Sequence, residues 1–117
     1  MEHSVTPSDS IYHQMNIAYT VAKEHGWLNR EIPFPEAIAL MHSELSEALE
    51  EFREHGLNKN HYESLNGKPE GIGPELADLA IRLFMYCQYY KIDLPSEIIS
   101  KTEYNRNRAF RHGGKLI

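Results

Sequence analysis

The stretch ELADLAIRLFMYCQYY, Glu75 to Tyr90, decides how this chain is read. It is apolar on almost every side of a helical wheel, yet it keeps Glu75, Asp78 and Arg82 in one strip at i, i+3 and i+7. A helix that is apolar all round needs contact on nearly every side. Charges set into such a surface need partners, because burying an unpaired charge is costly. One small chain can hardly surround this helix, which predicts an oligomer, a homodimer or homotetramer, that buries part of it. A central core helix in a monomer is the other way to cover the same surface.

Upstream, Ile11, Met15, Ala18, Tyr19 and Ala22 recur at helical spacing, with Ser8 or Asp9 placed to cap the start and Gly26 to end it. Pro33 and Pro35 break the chain. From Glu36, the stripe Ile38, Met41, Leu45, Ala48, Leu49 and Phe52 predicts a second amphipathic helix running to Gly56. Residues 56–74 hold four Gly and two Pro and read as a long loop, of the kind that is often functional. Pro74 fits the first position of a third helix reaching Lys91, and Pro95 opens a fourth that runs toward Gly113. No segment reads as a convincing strand. The expectation is an all-α, four-helix bundle-like single domain over residues 1–117.

Composition narrows the function. A formal net charge of −5 argues against binding a nucleic-acid polymer. The charge is unevenly spread: Glu36, Glu44, Glu47, Glu50, Glu51 and Glu54 crowd one segment, whereas Lys101, Arg106, Arg108, Arg111 and Lys115 crowd another. The single cysteine, Cys87, sits among tyrosines and reads as a buried thiol, which suits a reducing compartment. The first ten residues lack the basic-then-apolar layout of a signal peptide, and the longest apolar run carries charges inside it. A soluble, cytoplasmic protein without a membrane partner is expected.

At 100° per residue, Glu44, Glu47 and Glu51 fall on one flank of the second helix, beside the apolar stripe. If that helix packs against the Glu75 helix, Glu44, Glu47, Glu75 and Asp78 converge, and each pair of carboxylates near contact repels by ~4 kcal/mol at moderate dielectric. A proton, Arg82 or a divalent cation would offset the repulsion. Oxygen-only ligation favours Mg2+, with Mn2+ as a substitute, over zinc. Each acid also has a plain reading. Glu75 follows Pro74 in a first turn where acids complement the helix dipole, Asp78 and Arg82 form an ordinary i, i+4 pair, and the glutamates line a solvated face.

The order ELSE (Glu44-x-x-Glu47), 27 residues, then ELAD (Glu75-x-x-Asp78) resembles the ExxE and ExxD signature of the all-α nucleoside triphosphate pyrophosphatases, the superfamily of MazG and the dimeric dUTPases. The likeness covers about residues 36–115 and is strongest in HSELSEALEEFR, KPEGIGPELADLAIRL and KTEYNRNRAFRHGGK. It implies a MazG-type fold in which Glu44, Glu47, Glu75 and Asp78 ligate Mg2+. It also implies that Lys101, Asn105 and Arg108 contact the phosphates or sugar of a nucleotide. These three positions share one helical face, so an ammonium, an amide and a guanidinium can reach one polyphosphate, although a basic helix end is also a common solvated terminus. Gln14, Asn16 and Trp27 are candidates for a base pocket, Tyr104 and His112 for the basic face, and Glu51 for a second metal or for water alone.

The implied reaction is hydrolysis of a (d)NTP between its α and β phosphates to (d)NMP and pyrophosphate, with Glu47 the candidate to orient or deprotonate the attacking water. Two other readings stand beside it. A di-iron bundle needs Glu-x-x-His pairs, and none of the seven His has a Glu three positions before it. An oligomeric helical scaffold or nucleotide-binding module without catalysis would keep the same acids as surface charge. Walker, dinucleotide, nucleophile-elbow and zinc patterns are lacking.

Overall fold

The computed structural model describes residues 9–57 and 62–108. The all-α expectation holds for them: α1 (Ile11–Glu24), α2 (Phe34–His55), α3 (Ile72–Tyr89) and α4 (Leu94–Arg106), with one small hairpin of β1 (Tyr62–Glu63) and β2 (Pro69–Glu70) between α2 and α3. The hairpin lies in the stretch expected to be loop throughout. Its antiparallel pairing, Tyr62 with Glu70 and Glu63 with Pro69, is too short to leave a period-two pattern in the sequence.

The helix ends follow capping chemistry. Ser10, instead of Ser8 or Asp9, caps α1 by accepting the N–H of His13 at 3.2 Å. Gly26, at φ +77, ends it. Pro33 occupies the N-cap of α2 and Pro35 lies in its first turn, so the helix begins two residues before Glu36. Likewise α3 begins two residues before Pro74, directly after Gly71, whose φ of +123 only glycine adopts readily. Asp93 caps α4 by accepting the N–H of Ser96 at 3.2 Å, and it also accepts the hydroxyl of Tyr12 on α1 at 2.8 Å. α4 ends at Arg106, capped at Asn107, so the helix expected to run on toward Gly113 stops short and Arg108 lies past it, off the face it was expected to share with Lys101 and Asn105; residues 109–117 lie outside the described ones.

α3 is the central helix, packed on α1 along one side and on α2 along the other. The shared core is Ala22, Ile32, Ala37, Met85 and Tyr86, with Leu40, Met41, Tyr89 and Tyr90 against it. The tyrosines of α3 fasten the α1–α2 connection. The hydroxyl of Tyr89 accepts the N–H of Ile32 at 3.0 Å, and that of Tyr90 donates to the Ile32 carbonyl at 2.5 Å. Cys87 is buried beside them, and burial raises its thiol pKa, as expected of a packing residue. α4 packs on α1 and buries no residue of its own.

Most of the apolar stripe of α2 turns outward: Ile38, Leu45, Leu49 and Phe52 are all exposed, Leu49 at 57%. Met41 of the stripe meets α3 with Ala37, Leu40 and Glu44. Small and medium side chains let the helices approach there, and a cross-helix ion pair turns Glu44 inward. No helix among the described residues is long and apolar enough to cross a membrane.

Candidate metal centre

Two turns of α2 and the first two turns of α3 bring the acids together. Glu44, Glu75 and Asp78 each offer a carboxylate oxygen within 4.8 Å of the others. Glu44 and Glu75 are each only 7% exposed. Glu47, one turn along α2 and more exposed, lies close enough to hydrogen-bond with Glu75. Three of the four residues named from the sequence therefore meet at one place, and Glu47 borders them through Glu75.

The electrostatics show the strain. Burial, then the hydrogen bond and charge of Glu47, then the charges of Asp78 and Glu44 push the Glu75 pKa up to about 7. Burial and the charge of Glu44 raise that of Asp78, while Lys68 and Arg82 pull it the other way. One oxygen of Glu75, Oε2, is buried and has no hydrogen-bond partner. An unpaired buried carboxylate oxygen beside other acids is an unmet demand for a proton or a cation.

A hard divalent ion fits this donor set. The ligands are carboxylates alone, from three or four side chains on two rigid helices, and the orphaned oxygen points to a missing positive partner. Glu75 also sits in the first turn of α3, where the helix dipole favours a negative group.

Arg82 does not make the expected i, i+4 pair with Asp78. Its Nε binds Oε1 of Glu44 at 2.5 Å across the helix contact, and its Nη1 lies 3.3 Å from the Tyr86 hydroxyl. Glu44 is the nearer partner because α2 presents it to the middle of α3, where Arg82 extends along the groove. Glu51 turns to the hairpin and accepts the Tyr62 hydroxyl at 3.1 Å through one oxygen and 3.3 Å through the other, with His55 beside it.

Next to the acids lies a cavity of about 510 Å3. Glu44, Asp78 and Arg82 form one part of its lining; Trp27, Leu28, Ile32, Leu40 and Met85 form an apolar part; and Arg30, ion-paired to Glu36, contributes charge. Trp27 is 61% exposed and is the one base-pocket candidate that reaches this cavity. Gln14 is used locally, donating to the Asp9 carbonyl at 3.0 Å, and Asn16 is exposed on α1. A second hollow, lined by Lys68, Pro74 and Ala77, shares Asp78 and Ile81 with the first.

Lys101, Asn105 and Arg108 are exposed, and none of them lines either cavity. Lys101 lies over the ring of Tyr104, its Nζ 5.3 Å from the centroid. His112 lies outside the described residues. Two charged groups near the acids were not singled out from sequence. Lys68 stands within the quoted KPEGIGPELAD segment, and its position ten residues before Asp78 was its only signal. Arg30 carried no signal beyond its closeness to Trp27.

No family model, curated protein or solved structure matches the chain. The functional reading rests on the residues themselves.

Proposed function

We propose that this protein is a Mg2+-dependent nucleoside triphosphate pyrophosphohydrolase. The observation that carries the reading is the meeting of Glu44, Glu75 and Asp78 at a point where a buried Glu75 oxygen lacks any partner. The ordered ExxE and ExxD motifs, which supply these same acids from α2 and α3, agree with it.

In this reading Glu44, Glu47, Glu75 and Asp78 hold the metal, and Mn2+ is its natural substitute. When bound, Mg2+ supplies charge neutralisation at the phosphates and acidifies water. The rest is the work of the side chains. Glu47, the most solvent-facing of the four, orients the attacking water and takes its proton. The water oxygen bonds to the α phosphorus, the bond from that phosphorus to the bridging oxygen breaks, and pyrophosphate leaves with the electron pair. Trp27 and the apolar part of the cavity receive the base and exclude water around it. Lys101 and Asn105 on solvent-facing α4 and Arg108 just past its end are the groups that would steady the phosphates.

The reading includes assembly with further copies of the chain, as a homodimer or homotetramer. Leu45, Leu49 and Phe52 of the outward stripe on α2 and Leu76 and Ile81 on α3 are exposed apolar side chains that further copies would cover. That same stripe is what favours the second reading, an oligomeric helical scaffold or nucleotide-binding module.

One panel separates them. Purified protein is incubated with each NTP and dNTP, with and without Mg2+, and the products are resolved. Pyrophosphate and nucleoside monophosphate are expected only with metal; orthophosphate alone contradicts cleavage between α and β. A scaffold gives no product and no thermal stabilisation by Mg2+ with nucleotide.

A further inference from the structure

Arg82 stands where a cation is wanted. Its guanidinium reaches across from α3 to Oε1 of Glu44 on α2 at 2.5 Å, and the Tyr86 hydroxyl lies 3.3 Å from its other arm. Glu44 also belongs to the three-acid cluster whose oxygens lie within 4.8 Å of one another. Glu44 is the one acid it bonds, and Oε2 of Glu75 remains without a partner.

A guanidinium and a divalent ion draw on the same carboxylate charge. Their own charges repel, most strongly where water is scarce. Arg82 does not lose its proton, so it can yield only by turning away. The geometry allows this: Arg82 lines the 510 Å3 cavity, so the freed side chain has open space to turn into.

We propose that Arg82 is a built-in counter-ion for Glu44, holding the α2–α3 contact together while the cluster lacks metal and competing with the metal for the same carboxylate. The inference rests on the reading of the acids as a metal centre. It makes the occupancy of that centre depend on a residue that is not itself a ligand, and it gives Tyr86 the role of anchoring the competitor.

The opposite role is the usual one for a group bonded to a ligand. An outer partner that orients a carboxylate raises metal affinity, and its removal weakens binding. The two roles differ in sign. Calorimetric titration of the full chain with Mn2+ at pH 8.5, where protons compete little, distinguishes them. With R82Q, Mn2+ is expected to bind roughly tenfold or more tightly than with wild type, and the metal-free melting temperature is expected to fall. Y86F keeps the charge but loosens it, so a smaller gain of about two- to threefold is expected. Should R82Q not fold without metal, Y86F carries the comparison alone. Equal or weaker binding by the variants, with wild type binding normally, overturns the counter-ion role and leaves the metal centre standing. Absence of Mn2+ binding by wild type overturns both.

Discussion

Glu44 of α2 and Glu75 of α3 present carboxylate oxygens within 4.8 Å of each other while each side chain is all but buried. Two acids so placed make the fold sensitive to protons. Glu75 titrates at about 7 in the fold against 4.5 as its ordinary value, so between those values the native state holds a proton that the unfolded chain has released. Stability of the metal-free protein is therefore expected to be greatest toward pH 5 and to fall as pH rises through 7, by a total on the order of 3 kcal/mol. Asp78, also raised, works in the same direction. If the acids hold Mg2+, the trend reverses, because the ion takes the ionised carboxylates: the stabilisation it gives should grow from pH 5 to pH 8. Denaturant melts at four pH values, with EDTA or with Mg2+, check both slopes.

Replacing Glu75 by Gln isolates the cause. The amide keeps the shape and removes the charge, so at pH 8 the metal-free variant is expected to be more stable than wild type by roughly 1–3 kcal/mol. The stabilisation by Mg2+ should disappear with it. A Glu75→Gln protein that melts lower than wild type in EDTA would mean that the carboxylate is a structural partner and not a strained ligand.

The sequence carried the acids further than it carried the helix faces. Spacing on two helices was enough to bring Glu44, Glu75 and Asp78 together with Glu47 beside Glu75, because helical geometry fixes which residues share a side and the loop allows only a few ways for α2 and α3 to meet. It left the orientation of α2's apolar stripe open, since periodicity shows that Leu45, Leu49 and Phe52 share a face but not whether that face meets its own chain or another. The partner of Arg82 was misread for a related reason. Sequence offers the i, i+4 neighbour Asp78, whereas the choice of Glu44, 38 positions away, depends on how two helices pack. The hairpin of β1 and β2 and the use of Tyr89 and Tyr90 on Ile32 are tertiary facts with no local signature.

If the outward stripe is an assembly surface, a charge placed in its middle should break the assembly without unfolding the chain. Leu49 is more than half exposed within one chain, so Leu49→Glu is expected to change the stability of the isolated fold by about 0.5 kcal/mol or less. Buried in an interface, the same charge would cost about 2 kcal/mol or more per site. Light scattering coupled to size-exclusion chromatography should show the wild type as a dimer or tetramer and the variant as a monomer, with unaltered helical circular dichroism. A wild-type chain that elutes as a monomer at tens of micromolar removes the assembly from the reading.

The basic face of α4 offers the test that separates binding from folding. Lys101, Asn105 and Arg108 are exposed and α4 buries nothing, so Lys101→Ala and Arg108→Ala should leave the melting temperature within a degree or two of wild type. A charge-assisted contact to phosphate is worth about 1.5–3 kcal/mol, and its loss should lower kcat/KM for a nucleoside triphosphate roughly 10- to 100-fold. The split between KM and kcat then tells where the contact acts. A rise in KM alone places the lysine or arginine on the bound substrate, and an equal fall in kcat and kcat/KM places it on the transition state. Unaltered kinetics in both variants would assign the basic helix to solvent and leave the acids of α2 and α3 to bind the nucleotide through metal alone.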